Sequence, residues 1–99
     1  PLNLYQPECK MGEPLACVNL AMMLESGTDV AKDERRARVL YERGCNGGNA
    51  AGCTNLAVLY AQGRGGPKDQ DRAVELYRKA CKGGDSLGCE NLERRGLPQ

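Results

Sequence analysis

The sequence predicts an all-α protein built from repeated pairs of helices, and three observations carry that prediction. The cysteines recur in step: Cys9, Cys45 and Cys81 form one series and Cys17, Cys53 and Cys89 the other, both at a period of 36 residues. Other residues keep the same step, among them Asn19/Asn55/Asn91, Leu20/Leu56/Leu92, Gly12/Gly48/Gly84 and the Leu-Tyr pairs at 4–5, 40–41 and 76–77. Inside each period the apolar residues follow helical spacing. Cys53, Leu56, Ala57 and Tyr60 fall at i, i+3, i+4 and i+7, and Cys17, Leu20, Ala21 and Leu24 copy them.

The elements follow in order. A first helix, helix A, is expected at about 14–26 and again at about 50–62, each ended by a glycine (Gly27, Gly63) placed for a left-handed C′ conformation. A second, helix B, is expected at about 33–45 and 69–81, where Asp33 and Asp69 stand as N-caps. Its apolar face is Ala37, Leu40 and Tyr41 in the first copy and Ala73, Leu76, Tyr77 and Ala80 in the second. A third helix A, at about 86–95, closes the chain. The units are 9–44, 45–80 and a half unit 81–99, in one domain spanning 1–99.

Composition narrows the function. A net charge of +1, with no basic block longer than a pair, argues against nucleic acid or an anionic membrane as the main partner. No apolar run approaches the roughly 20 residues of a membrane span, and no signal-peptide core is present. Histidine is absent, which removes the commonest general base and metal ligand together. Phenylalanine and tryptophan are also absent, so a chain this short needs a staple beyond its core.

The cysteines answer that need. Each C-x7-C stretch (9–17, 45–53, 81–89) falls at the junction between a helix B and the next helix A. Residues eight apart on one continuous helix stand about 12 Å apart along its axis, whereas a disulfide needs Cα atoms within roughly 4.4–6.8 Å. A local bond therefore requires the chain to turn back, and Gly47-Gly48, Gly83-Gly84 and Gly12 with Pro14 provide the turns. Local pairing uses all six cysteines. The rival, Cys17–Cys45 with Cys53–Cys81, also suits an antiparallel hairpin but strands Cys9 and Cys89, so local pairing is preferred. Closing a nine-residue ring is worth about 2.6 kcal/mol in the loop-entropy model, and three such rings up to ~8 kcal/mol.

The segment CTNLAVLYAQGRGGPKDQDRAVELYRKACKGGDSLGC resembles the Sel1-like repeat family, relatives of the tetratricopeptide repeats, and most of all its cysteine-rich branch, the Helicobacter cysteine-rich proteins. The resemblance covers nearly the whole chain. It implies a right-handed α/α solenoid of about two and a half repeats, disulfide-bridged at its helix junctions, acting in protein–protein interaction. For some members of the branch it also implies binding or slow hydrolysis of β-lactams. The sequence departs from the family pattern in three places. Gly66 replaces the valine kept at Val30, which predicts a less well packed corner; Pro7 interrupts what would be a leading helix B; and Glu93, Arg94 and Arg95 replace Ala57, Val58 and Leu59, giving the polar face of a cap. The C-terminus is read as a natural end and the N-terminus as open to trimming from a longer array.

By analogy with tetratricopeptide repeats, the concave surface comes from helix A. The candidate binding residues are Val18, Asn19, Met22, Thr54, Asn55, Val58, Glu90, Asn91 and Arg94, with Glu25 and Ala61 beside them. The asparagine ladder has two readings: amides aimed at a bound peptide, or amides satisfying backbone groups at tight repeat junctions. The alternating charges of helix B, including Arg38 and the i,i+4 pairs Glu34–Arg38 and Glu75–Lys79, read as a solvated convex face.

Enzyme readings are weak. The only serines, Ser26 and Ser86, lie outside any S-x-x-K or Gly-x-Ser-x-Gly context, and C-x7-C is not a zinc knuckle. The expectation is a non-catalytic adaptor module, monomeric, without cofactor or metal, binding a protein or peptide, with no nucleic-acid partner and no membrane insertion. A β-lactam-binding or weakly hydrolysing protein is the alternative. Stable disulfides point to an oxidising compartment, periplasmic or secreted first and the mitochondrial intermembrane space second.

Overall fold

The computed structural model describes residues 2–98. Among the described residues six helices run in order: α1 (Leu2–Lys10), α2 (Pro14–Ser26), α3 (Glu34–Asn46), α4 (Ala50–Gln62), α5 (Gln70–Lys82) and α6 (Ser86–Arg94). The helices A are α2, α4 and α6; the helices B are α3 and α5. Every helix packs on its sequence neighbours, and α2 touches α4 as α4 touches α6, so successive helices A line one side of an elongated body of 41 × 24 × 16 Å.

Local chemistry sets the boundaries. Asp33 and Asp69 each accept a hydrogen bond from the backbone N–H three residues on (Arg36, Arg72) at 3.0 Å. Gly27 and Gly63 end α2 and α4 in the left-handed region, at φ 76° and 67°, where a side chain would be strained. The core is a continuous strip of the repeated residues: Leu20, Leu56 and Leu92, Ala21 and Ala57, Ala37 and Ala73, Leu40 and Leu76, Tyr41 and Tyr77, all buried. Disulfides Cys9–Cys17, Cys45–Cys53 and Cys81–Cys89 close the three junctions with Cα separations of 4.5, 4.6 and 4.7 Å, so the local pairing holds and the hairpin pairing does not.

Four expectations give way. Helix α1 runs through Pro7 instead of breaking there. Proline removes one backbone donor and crowds the preceding turn, but burial of Cys9 and packing of Tyr5 on the core outweigh that cost. Arg38 is not on a solvated face; it is 8 % exposed. Its guanidinium donates to the carbonyls of Leu59, Arg64 and Pro67 and lies 4.1 Å above the Tyr60 ring. A Cβ built on Gly66 would stand 2.9 Å from Arg38 Nη1, so the corner expected to be loose is filled by an arginine that needs glycine beside it. The expected helical ion pairs also re-sort: Glu34 pairs with Arg64, and Glu75 with Arg72.

Candidate binding groove

The helices A shape two adjoining open depressions that are copies of one site. One, of about 330 Å³, is lined by Met22, Glu25, Ser26, Tyr41, Asn55 and Arg64. The other, of about 530 Å³, includes Asn55, Val58, Ala61, Gln62, Tyr77 and Asn91. A step of 36 residues maps Met22 to Val58, Glu25 to Ala61, Ser26 to Gln62, Tyr41 to Tyr77 and Asn55 to Asn91. The site thus repeats where two helices A meet over a buried helix B tyrosine. Met22 and Leu87, both about half exposed, give the groove an apolar lining.

The first copy is closed by a polar network. The Tyr41 hydroxyl donates to Glu25, and Arg64 reaches back to Glu25 at 3.0 Å while its Nε bonds Glu34. Burial, then the bond to the Glu25 carboxylate, push the Tyr41 phenol far above its ordinary range. The hydrogen bond to Glu34 holds the Arg64 guanidinium above its usual value, against a smaller opposing cost of burial.

The fold is shared with known proteins. A family model described as the Sel1 repeat matches residues 14–49 and 50–85. The chain belongs to the Sel1 repeat family. Among solved structures, Helicobacter pylori cysteine rich protein B is similar at 28% identity and TM-score 0.88, over 92% of this chain and 68% of that one. A Sel1 repeat protein from Oxalobacter formigenes is similar at 25% identity and TM-score 0.84, over 88% of this chain and 36% of that one. So is c5321, a protective antigen present in uropathogenic Escherichia coli strains, at 26% identity and TM-score 0.89, over 97% of this chain and 21% of that one. No curated protein sequence matches the chain. The fold is the Sel1 α/α solenoid, and Sel1 repeat proteins generally mediate protein–protein interaction.

Against this Sel1 frame the expected binding residues separate. Met22, Asn55, Val58, Asn91 and Arg94 line the groove. Val18 and Thr54, expected on its wall, are buried at the repeat junctions. For Val18 the reason is close approach by the α3–α4 elbow: a Cβ on Gly44 or Gly52 would lie 2.5 or 2.8 Å from Val18 Cγ2. Thr54, though it borders the larger depression, donates its hydroxyl to Asp85, the residue preceding α6. That bond explains why Asp85 does not cap its own helix, whereas its counterpart Asn49, with valine instead of threonine at the position equivalent to Thr54, caps α4 through Gly52 N–H at 2.8 Å. Glu90 occupies the position equivalent to Val18 and Thr54 and is exposed on the terminal face.

The asparagine ladder divides too. Asn91 donates to the Leu87 carbonyl of its own helix at 2.8 Å, while the half-buried Asn55 amide has no protein partner among the described residues and borders both depressions. Asn19 is half-buried and borders neither. Sequence reasoning placed Arg95 on the cap and missed its role in the groove: its guanidinium lies 4.7 Å above the Tyr77 ring. All six cysteines are in disulfides. The Ser26 hydroxyl is held by Thr28 and the Met23 carbonyl. Among the described residues no group of three His, Cys, Asp or Glu side chains is placed to hold a metal ion.

Proposed function

We propose that the chain is a non-catalytic interaction module that presents the groove between successive helices A to a protein or peptide partner. One observation carries this reading: the core is constant from repeat to repeat while the groove lining is not. Tyr41 and Tyr77, Leu40 and Leu76, and Ala37 and Ala73 are identical and buried, yet Met22, Glu25 and Ser26 become Val58, Ala61 and Gln62 one period later. The lining varies even though Val58 and Ala61 also pack in part against the core, as a surface fitted to a partner allows. Val58 and Met22 are the apolar contacts, and Asn55 offers its amide between them.

The experiment compares partner capture by the wild-type protein, by a variant carrying Met22→Asp and Val58→Asp in the groove, and by one carrying Arg35→Glu and Val39→Asp on helix α3. Loss only with the groove pair supports the module; capture that survives the groove pair and fails with the α3 pair ends it. Thr54 is unsuitable for such a test because it is buried and bonded. We also propose an oxidising location, periplasmic or secreted, supported by three disulfides that engage every cysteine. Six reactive thiols in freshly isolated, denatured protein would refute it.

A further inference from the structure

The two copies of the groove differ in one group that decides what each can bind. In the first, Glu25 accepts the Tyr41 hydroxyl and the Arg64 guanidinium together. In the second, Tyr77 holds the place of Tyr41, and Ala61 stands where Glu25 does. The Tyr77 hydroxyl meets no protein acceptor among the described residues, and it is not a buried unsatisfied atom, so it opens to the groove. Arg94 and Arg95 line the same depression, and among the described residues neither is ion-paired. Among the described residues no acidic side chain lines it. A phenol donor, an unpartnered amide at Asn55 and two guanidinium groups, one of which (Arg95) also donates to the Asn91 carbonyl, surround one open space and form a donor-rich, positively charged site that no carboxylate side chain neutralises.

We propose that the second groove receives an aspartate or glutamate side chain of the partner peptide, which completes there the arrangement that Glu25 completes internally in the first. This rests on the interaction-module reading and adds the chemistry of the partner. The bound carboxylate accepts from the Tyr77 hydroxyl and from Arg94 or Arg95, while Val58 and Leu87 contact the apolar residues flanking it. The first groove, with its own carboxylate in place, does not select for acid.

The test uses a phage-displayed random dodecapeptide library selected on the intact oxidised protein, followed by affinity measurements on the selected peptides as synthetic probes. Selected peptides are expected to share an acidic residue whose change to the amide weakens binding about tenfold to a hundredfold, the range for hydrogen bonds to a charged group. Ala61→Glu supplies an internal carboxylate and should produce the same loss, whereas Ala61→Gln should not. Tyr77→Phe, which breaks no bond within the protein, should weaken the acidic peptide about tenfold and leave its amide form unchanged, with unaltered thermal unfolding. Peptides that bind through Val58 but ignore both the acid-to-amide change and Ala61→Glu overturn this inference and leave the module standing. Failure to select any peptide sensitive to Val58→Asp overturns both.

Discussion

Replacing Arg38 with alanine tests how the corner between α4 and α5 is held. One guanidinium makes four donor contacts of 3.0–3.2 Å to three carbonyl oxygens and covers the Tyr60 ring. Bonds from a charged donor are worth about 1.5–3 kcal/mol each when the partner is left unsatisfied. The Arg64 and Pro67 carbonyls lie in a loop that water can reach once the side chain is gone, so those losses are mostly recovered. The Leu59 carbonyl is deeper and still accepts from the Arg64 N–H at 2.9 Å, so it is not stranded but loses its charged donor, about 1.5–3 kcal/mol. Adding about 0.5–1 kcal/mol for the ring contact gives a loss of about 3 kcal/mol, or roughly 12–15 °C in Tm for a domain of this size. The assay is urea unfolding followed by circular dichroism, on oxidised protein, with the exposed Arg35→Ala as control. The geometry also predicts coupling. Gly66→Val should cost about 1–3 kcal/mol in the wild type by displacing Arg38, and at least 1 kcal/mol less in the Arg38→Ala background. Arg38→Ala within about 0.5 kcal/mol of wild type, or strict additivity with Gly66→Val, would refute this account of the corner.

Three further outcomes follow from the structure. Gly88→Ala should destabilise by about 1–3 kcal/mol in thermal or urea unfolding, because its Cβ would meet the Tyr77 carbonyl and the Cys81 N–H nitrogen at 2.9 Å; in an open helix the same change stabilises by about 1 kcal/mol. Removing one staple with Cys45→Ala and Cys53→Ala should cost about 2–3 kcal/mol, read from the shift in urea midpoint against the parent. Tyr41 predicts alkaline sensitivity: its folded phenol is raised above the ordinary 10.0, so the fold keeps a proton that the unfolded chain releases. Its contribution is therefore complete below about pH 10 and declines as pH rises beyond that. Tyr41→Phe should flatten that decline, and in a spectrophotometric titration of the wild type the Tyr41 phenol should ionise only as the chain unfolds.

The helices were legible because a 36-residue period and caps at fixed offsets mark them; α3 and α5 start one residue after Asp33 and Asp69, which are the caps themselves. The junction disulfides were legible for the same reason, since every cysteine keeps the period. What breaks the period was not. Counting charges on a helix assigns Arg38 to water, and nothing local reveals that Gly66, 28 positions later, leaves room for a guanidinium. The Glu25–Tyr41–Arg64–Glu34 network joins residues whose counterparts one period away, Ala61 and Thr28, carry no charge. Val18 was misplaced because the tetratricopeptide analogy assigns that helix position to the groove, whereas Thr54 does border the groove but is buried and bonded to Asp85. For Val18 the available signal was Gly52, which lets α4 close over that side chain.

Each sulfur bridge spans one elbow, α1–α2, α3–α4 or α5–α6, and none spans an A–B corner. Proteolytic cuts therefore have two different fates. A nick in an elbow, at 46–49 for instance, leaves both pieces tethered until a reductant is added, whereas a nick at 27–33 or 63–69 releases two fragments as soon as the chain is denatured. The backbone beneath Arg38 is thus one of the places where a single hydrolysed peptide bond divides the molecule.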